Sequence, residues 1–354
     1  MQLSSKPRFV GRTSEKGTIQ TEIELLGKTP TGSGGVVLMI SGPEGIGKTA
    51  LLGEVARHAR SHDIPVFEVG GGQSDMPFNA IRPLLLSLRA EMLSRSGNGT
   101  RLVEKHAELF ASIDQGKAEG QLAEWTKEKE KLTEVLARFV NLSSSLAPFV
   151  VVADDVDQID SESLEVLRVV ARDAQVGKIL LLLSGREEGS VQVSARQVPL
   201  RELEMEEVGE MSKSVFSPQT LGQAIGNALY DLYGGTPLLI VEALHSVSML
   251  LPMKVPTEPA QIRDEVRRCI SQLPRGLDQF LARRYESLTR ERQLLLEVLA
   301  CFHSPPGIQA IQELLPFQRQ RVREYVSMLE AEGFVKSDAR QHVSIRHAKL
   351  KDIV

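Results

Sequence analysis

The apolar run Val36–Ile40 leads into Gly42-Pro43-Glu44-Gly45-Ile46-Gly47-Lys48-Thr49, and a helical pattern, "ALLGEVARHAR", starts at Ala50. The octapeptide satisfies G-x-x-x-x-G-K-[ST] at a strand-to-helix junction, and few folds place such a loop there. Glycines let successive backbone N–H groups turn inward, and the following helix aims its positive end at the same point. The stretch Pro43, Glu44, Gly45, Ile46, Gly47 and Ala50 is therefore expected to cradle a phosphate chain. Lys48 is expected to neutralise β/γ oxygens, and the Thr49 hydroxyl to ligate Mg²⁺. The competing reading is a chance glycine-rich helix start.

A loop of this kind needs a second strand that carries acid. "FVVVADDVDQID" supplies one: an apolar run delivers Asp154 and Asp155 at its C-terminal end, where doubly wound sheets place ligands. Asp154 is expected to hold Mg²⁺ through water, and Asp155 to orient or deprotonate an attacking water. The alternative is a solvated acidic turn. A third run, "ILLLLSGR", ends in Ser184 and Arg186. A polar residue there can sense a γ-phosphate, whereas an arginine after a strand is as readily an ordinary surface residue.

Strands are predicted at Val36–Ile40, Val66–Val69, Phe149–Asp154, Ile179–Ser184 and near Val198, separated by helical patterns. Continuously apolar runs suit central strands of a parallel sheet covered on both faces. The class is thus α/β, a P-loop NTPase with a central parallel sheet. Gln121–Leu146 reads as one long amphipathic helix. After Glu206 the strand signals stop and four helical patterns follow. From Gly276 further helices precede two short strand candidates, "FVKS" and "HVSIRH", the order of a winged helix. The expected division is 1–205 nucleotide-binding, 206–275 an all-helical lid and 276–354 a C-terminal winged-helix domain.

A net charge of −4 gives no global attraction to nucleic acid or to an anionic membrane. Cys269 and Cys301 make no disulfide framework and are expected to be small buried residues; with His303, Cys301 lacks partners for a metal site. The N-terminus lacks the apolar segment of a signal peptide, and no run reaches the ~20 apolar residues of a membrane span. A cytoplasmic location is expected.

"RFVGRTSE", the phosphate loop, "FVVVADDVDQID", "LLLSGR", "LYGGTPLLIVEAL" and "SIRHAKLKDIV", in that order, resemble the STAND class of signal-transduction ATPases. The likeness is to the AAA-like branch found in MalT-type regulators and in multidomain kinases and cyclases, and it spans nearly the whole chain. It implies that Phe9, Val10, Gly11 and Arg12 lie against the nucleotide, with Val10 or its neighbours touching adenine. "MPFNAIRPLL" resembles the segment after the second strand, and Asp160 the acid placed shortly after the paired aspartates. Pro237, in Gly234-Gly235-Thr236-Pro237, corresponds to the proline that packs on adenine, and it can equally serve as the first turn of a helix. His347 takes the place of a histidine that reaches the β-phosphate of ADP, although Ala348 replaces the usual following aspartate. A surface or packing role for His347 stays open.

The resemblance implies an ADP-locked closed monomer. Exchange for ATP would release it for self-association, with slow hydrolysis as a timer and a helical-repeat or effector region beyond Val354. An AAA+ ATPase of the origin-recognition type is the alternative, with Arg319, Arg321 and Arg323 meeting DNA phosphates. Against it stand Glu324, Glu330 and Glu332 on the same helix and the acidic balance, which make nucleic acid an improbable partner of this part alone. A small-molecule P-loop kinase would leave the winged helix unexplained.

Overall fold

A computed structural model describes residues 7–28, 34–70, 77–95, 97–114, 122–174, 177–186, 193–252, 258–302, 305–337, 342–346 and 348–354. The chain divides into two compact units: Arg12–Arg201, and the residues up to Gly11 together with Glu202–Val354.

In Arg12–Arg201 the strands β1 (Val36–Ser41), β2 (Val66–Val69), β3 (Phe149–Ala153), β4 (Ile179–Gly185) and β5 (Arg196–Pro199) form one sheet in the order β2-β3-β4-β1-β5. Every pairing is parallel. Period-two alternation sends Val37, Met39, Ile179, Leu181 and Leu183 into one core, while Leu38, Ile40, Leu180 and Leu182 are buried on the other face. Both faces are covered, which explains why β3 and β4 read as unbroken apolar runs. The first core is closed by α3 (Arg82–Ser94), α4 (Asn98–Lys105), α5 (Ala107–Asp114), α6 (Leu122–Leu146) and α7 (Ser161–Asp173). On the other face Ile19 and Ile23 of α1 (Thr13–Lys28), with Leu51 and Val55 of α2 (Lys48–Ser61), are fully buried. β3 stops at Ala153, one residue short of the expected end, because Asp155 leaves the ladder with φ 49°.

Among the described residues the other unit is helical apart from one hairpin. α8 (Met205–Val215), α9 (Gln219–Tyr233), α10 (Pro237–Leu250) and α11 (Pro259–Ser271) enclose a core of Val208, Leu221, Ile225, Leu229, Leu244 and Val247. α12 (Leu277–Glu286) gives Phe280 to that core and Leu281 to the next. The second core is built by α13 (Arg290–Ala300), α14 (Ile308–Leu314), α15 (Arg319–Ala331), the antiparallel β6 (Val335–Ser337) and β7 (Val343–Ile345), and α16 (Ala348–Ile353). Gly307 bridges His342, so the hairpin gains a third short neighbour. Cys269 is buried as expected, but Cys301 is exposed: it caps α13, where the helix meets solvent. No helix among the described residues is long and apolar enough to cross a membrane.

Tyr233 closes α9 with its hydroxyl donating to the carbonyl of Pro274, and burial pushes its pKa up to about 12. A folded-state value above the unfolded 10 gives stability that is complete below pH 10 and is lost as pH rises from 10 to 12. In an ultraviolet titration Tyr233→Phe should remove a late-ionising tyrosine phase. It should also cost about 1 kcal/mol, since the Pro274 carbonyl loses its donor.

Candidate functional site

The sheet order explains the site. β1, which feeds the glycine loop, is separated from β3 by β4, so three strand ends lie side by side at one rim. The loop follows β1 directly, and its last glycine, Gly47, caps α2 with φ 99°. That left-handed conformation is readily open only to glycine. It turns the chain so that Lys48 and Thr49 open the helix beside their own loop.

Lys48 is 6% exposed, and its ammonium donates to the carbonyls of Gly42 at 2.8 Å and Pro43 at 3.2 Å. The cation is held against the loop rather than extended into solvent. Behind the loop Arg12, also buried, donates from Nη2 to the carbonyl of Ile46 at 2.9 Å and pairs with Glu15 at 3.4 Å. Arg12 therefore braces the loop from beneath.

At the rim the Thr49 hydroxyl donates to Asp154 Oδ2 at 2.7 Å, and the Ser184 hydroxyl donates to Asp154 Oδ1. Ser184 Oγ also accepts the Asp155 N–H at 2.9 Å. One buried serine on the middle strand thus fixes both aspartates. Thr49 and Asp154 present neighbouring hard oxygens, a donor set suited to a divalent cation such as Mg²⁺. Asp155 keeps φ 49°, a conformation that aspartate tolerates better than most residues and one that recurs at functional positions.

Two carboxylates whose roles the residue pattern left unspecified organise the surroundings. Asp157 Oδ2 accepts the Arg186 N–H at 2.8 Å. Asp160 caps α7 and accepts four bonds: from the N–H groups of Phe78 and Ala80 at 3.0 Å, and from the N–H and hydroxyl of Ser163 at 2.8 Å. It ties the segment after β2 to α7, and its oxygens are fully committed to structure. The signal for both was the repeated acid in "DDVDQID", legible only once β4 and the 78–81 turn are known to lie beside it.

The structure brings Pro43, Glu44, Gly45, Ile46, Gly47, Lys48, Thr49, Ala50, Asp154, Asp155, Arg186 and Arg12 into one unit. Phe9, Val10 and Gly11 belong to the other, where Val10 packs on the helical core and the Arg8 N–H donates to Ser214 Oγ at 3.1 Å. Pro237 is in that unit too, at the start of α10, where the Leu203 N–H donates to the Gly235 carbonyl at 2.8 Å. A Cβ on Gly235 would come within 1.8 Å of the Leu203 carbonyl oxygen, so this turn requires glycine. His347 lies outside the described residues.

Residues 8–183 match the family model of the AAA ATPase domain. This part of the chain is an AAA ATPase domain. The chain also shares the fold of a signal transduction ATPase with numerous domains (STAND), one with a tetratricopeptide repeat sensor, from Pyrococcus horikoshii. That likeness has 17% identity and a TM-score of 0.54, and covers all of this chain but only 44% of the archaeal protein. The chain thus spans less than half the length of that relative. Weaker likenesses run to the ORC2 protein of Aeropyrum pernix, at 16% identity and TM-score 0.45 over 98% of this chain and 94% of that one. Drosophila ORC bound to DNA follows at 12% identity and TM-score 0.43 over 97% and 86%. No curated protein matches by sequence.

Proposed function

We propose that the chain is an ATP/ADP-binding regulatory switch, a slow ATPase whose AAA domain holds the nucleotide by its phosphates. The observation that carries this reading is the Thr49–Asp154–Ser184 cluster beside a glycine loop that already grips Lys48. Lys48 and the loop N–H groups bind the phosphate chain. Thr49 and Asp154 hold Mg²⁺, which when bound neutralises charge on the phosphate oxygens. Asp155 orients a water at its carboxylate and takes its proton. Arg186 answers to the terminal phosphate. The remaining part divides into a lid at 206–275 and a winged helix at 276–354, after a nucleotide-binding domain at 1–205. Phe9, Val10, Gly11 and Pro237 contact adenine, and His347 the diphosphate. The ADP state rests as a monomer in the cytoplasm; the ATP state self-associates.

Protein purified without added nucleotide should release ADP on denaturation. Its mass in solution should rise with a non-hydrolysable ATP analogue and not with ADP. Purified protein that carries no nucleotide, and whose mass and melting temperature ignore both ligands, would overturn the reading. A second reading, DNA binding, is favoured by one observation: Arg319, Arg321 and Arg323 are all exposed on α15. Salt-dependent retention of duplex DNA would support it, and no retention at low ionic strength would remove it.

A further inference from the structure

Glu44 puts a carboxylate in the phosphate loop itself, where any added negative charge opposes a phosphate ligand. Its Oε2 stands 3.8 Å from Nη2 of Arg186. Arg186 cannot drift far, because Asp157 holds its backbone N–H at 2.8 Å and anchors the end of β4. Both side chains reach solvent, at 58% exposure for Arg186 and 41% for Glu44. The pair is accordingly weak enough for a ligand to break. Two residues before Arg186, on β4, Ser184 is locked to Asp154, so Arg186 follows the strand end that holds the Thr49–Asp154 cluster.

We propose that Glu44 is a specificity-determining residue that discriminates between nucleoside diphosphate and triphosphate. Its carboxylate competes with the terminal phosphate of a triphosphate for the Arg186 guanidinium. A diphosphate lacks that third phosphate, so the Glu44–Arg186 pair survives its binding. A triphosphate must break the pair to gain its own contact with the guanidinium. The device biases the resting protein toward ADP without touching adenine, and it rests on the nucleotide reading above. A ligand shifts such an equilibrium only through a contact that differs between the two states, and this pair is one.

The test compares equilibrium affinities for ADP and for the β,γ-imido analogue of ATP, a readout independent of turnover. In Glu44→Gln the analogue-to-ADP affinity ratio should rise about two- to five-fold, the range of an exposed ion pair. In Arg186→Ala the same Glu44→Gln change should leave the ratio nearly unmoved. Both positions are exposed, so neither variant endangers folding. A ratio unchanged by Glu44→Gln overturns the proposal. So does an equal rise in the Arg186→Ala background, which would mean simple repulsion without competition for the arginine. Wild-type protein that binds neither nucleotide sinks the phosphate-site reading and this proposal together; normal binding with an unmoved ratio sinks this proposal alone.

Discussion

Replacing Lys48 by alanine should weaken ATP and ADP alike by about two to three orders of magnitude, while Asp155→Asn should keep ATP affinity and lose turnover. The lysine is the one cation that the glycine loop itself carries, and its ammonium is pinned to two loop carbonyls. A charge-assisted hydrogen bond contributes about 1.5–3 kcal/mol, and a unit charge near phosphate adds up to about 4 kcal/mol at the effective dielectric of a protein surface. Together these exceed anything that neutral loop N–H groups can compensate. Asparagine is the informative change at Asp155 because it tolerates φ 49° as aspartate does. It leaves the backbone contact with Ser184 intact and removes the carboxylate proposed as the base, so turnover should drop about 10²–10⁴-fold. Isothermal titration with each nucleotide, together with phosphate release, separates the two effects. Equal loss of binding in both variants would contradict the division of labour between loop and strand end.

Much of the AAA domain was legible in the residues because its signals are local. A glycine loop between an apolar run and a helical pattern, and acids at the end of a buried run, depend on neighbours within a dozen positions. The five strands appear where those runs predict, and the long helix forms over Leu122–Leu146. What the residues could not give was adjacency. Nothing in "ILLLLSGR" says that it lies between the other two site strands, yet that order alone lets Ser184 bond Asp154. The same limit hid the Glu44–Arg186 pair and the four-bond role of Asp160, whose partners lie 82 and 80 positions away at Phe78 and Ala80. Cys301 was misjudged for a different reason: its helix ends at the surface, and composition does not report where a helix stops.

Loss of Glu242, the one buried carboxylate among the described residues, should cost about 3–5 kcal/mol of stability. It is the lone charge in the first three turns of α10, in the apolar segment "PLLIVEALHSV", and it is only 6% exposed. Arg284 of α12, at 15% exposure, answers it with Nη1 at 2.8 and 2.9 Å from the two carboxylate oxygens. The same guanidinium donates from Nη2 to the Glu332 carbonyl and lies 4.4 Å over the Phe334 ring. Arg292 holds Glu332 in turn, at 2.6 Å. One arginine therefore joins α10 to the turn after α15, across the two hydrophobic cores that meet at Phe280 and Leu281. Alanine at 242 leaves a half-buried guanidinium without its carboxylate, and most of the cost is that of its desolvation rather than of the lost attraction. Hence Glu242→Gln, which keeps an acceptor, should cost less than Glu242→Ala, and Glu242→Leu with Arg284→Met should recover most of the loss. Urea denaturation of the four proteins supplies the measurement. A loss under about 1 kcal/mol in Glu242→Ala would mean that water reaches Arg284, and the two cores would then be joined by apolar packing through α12 alone.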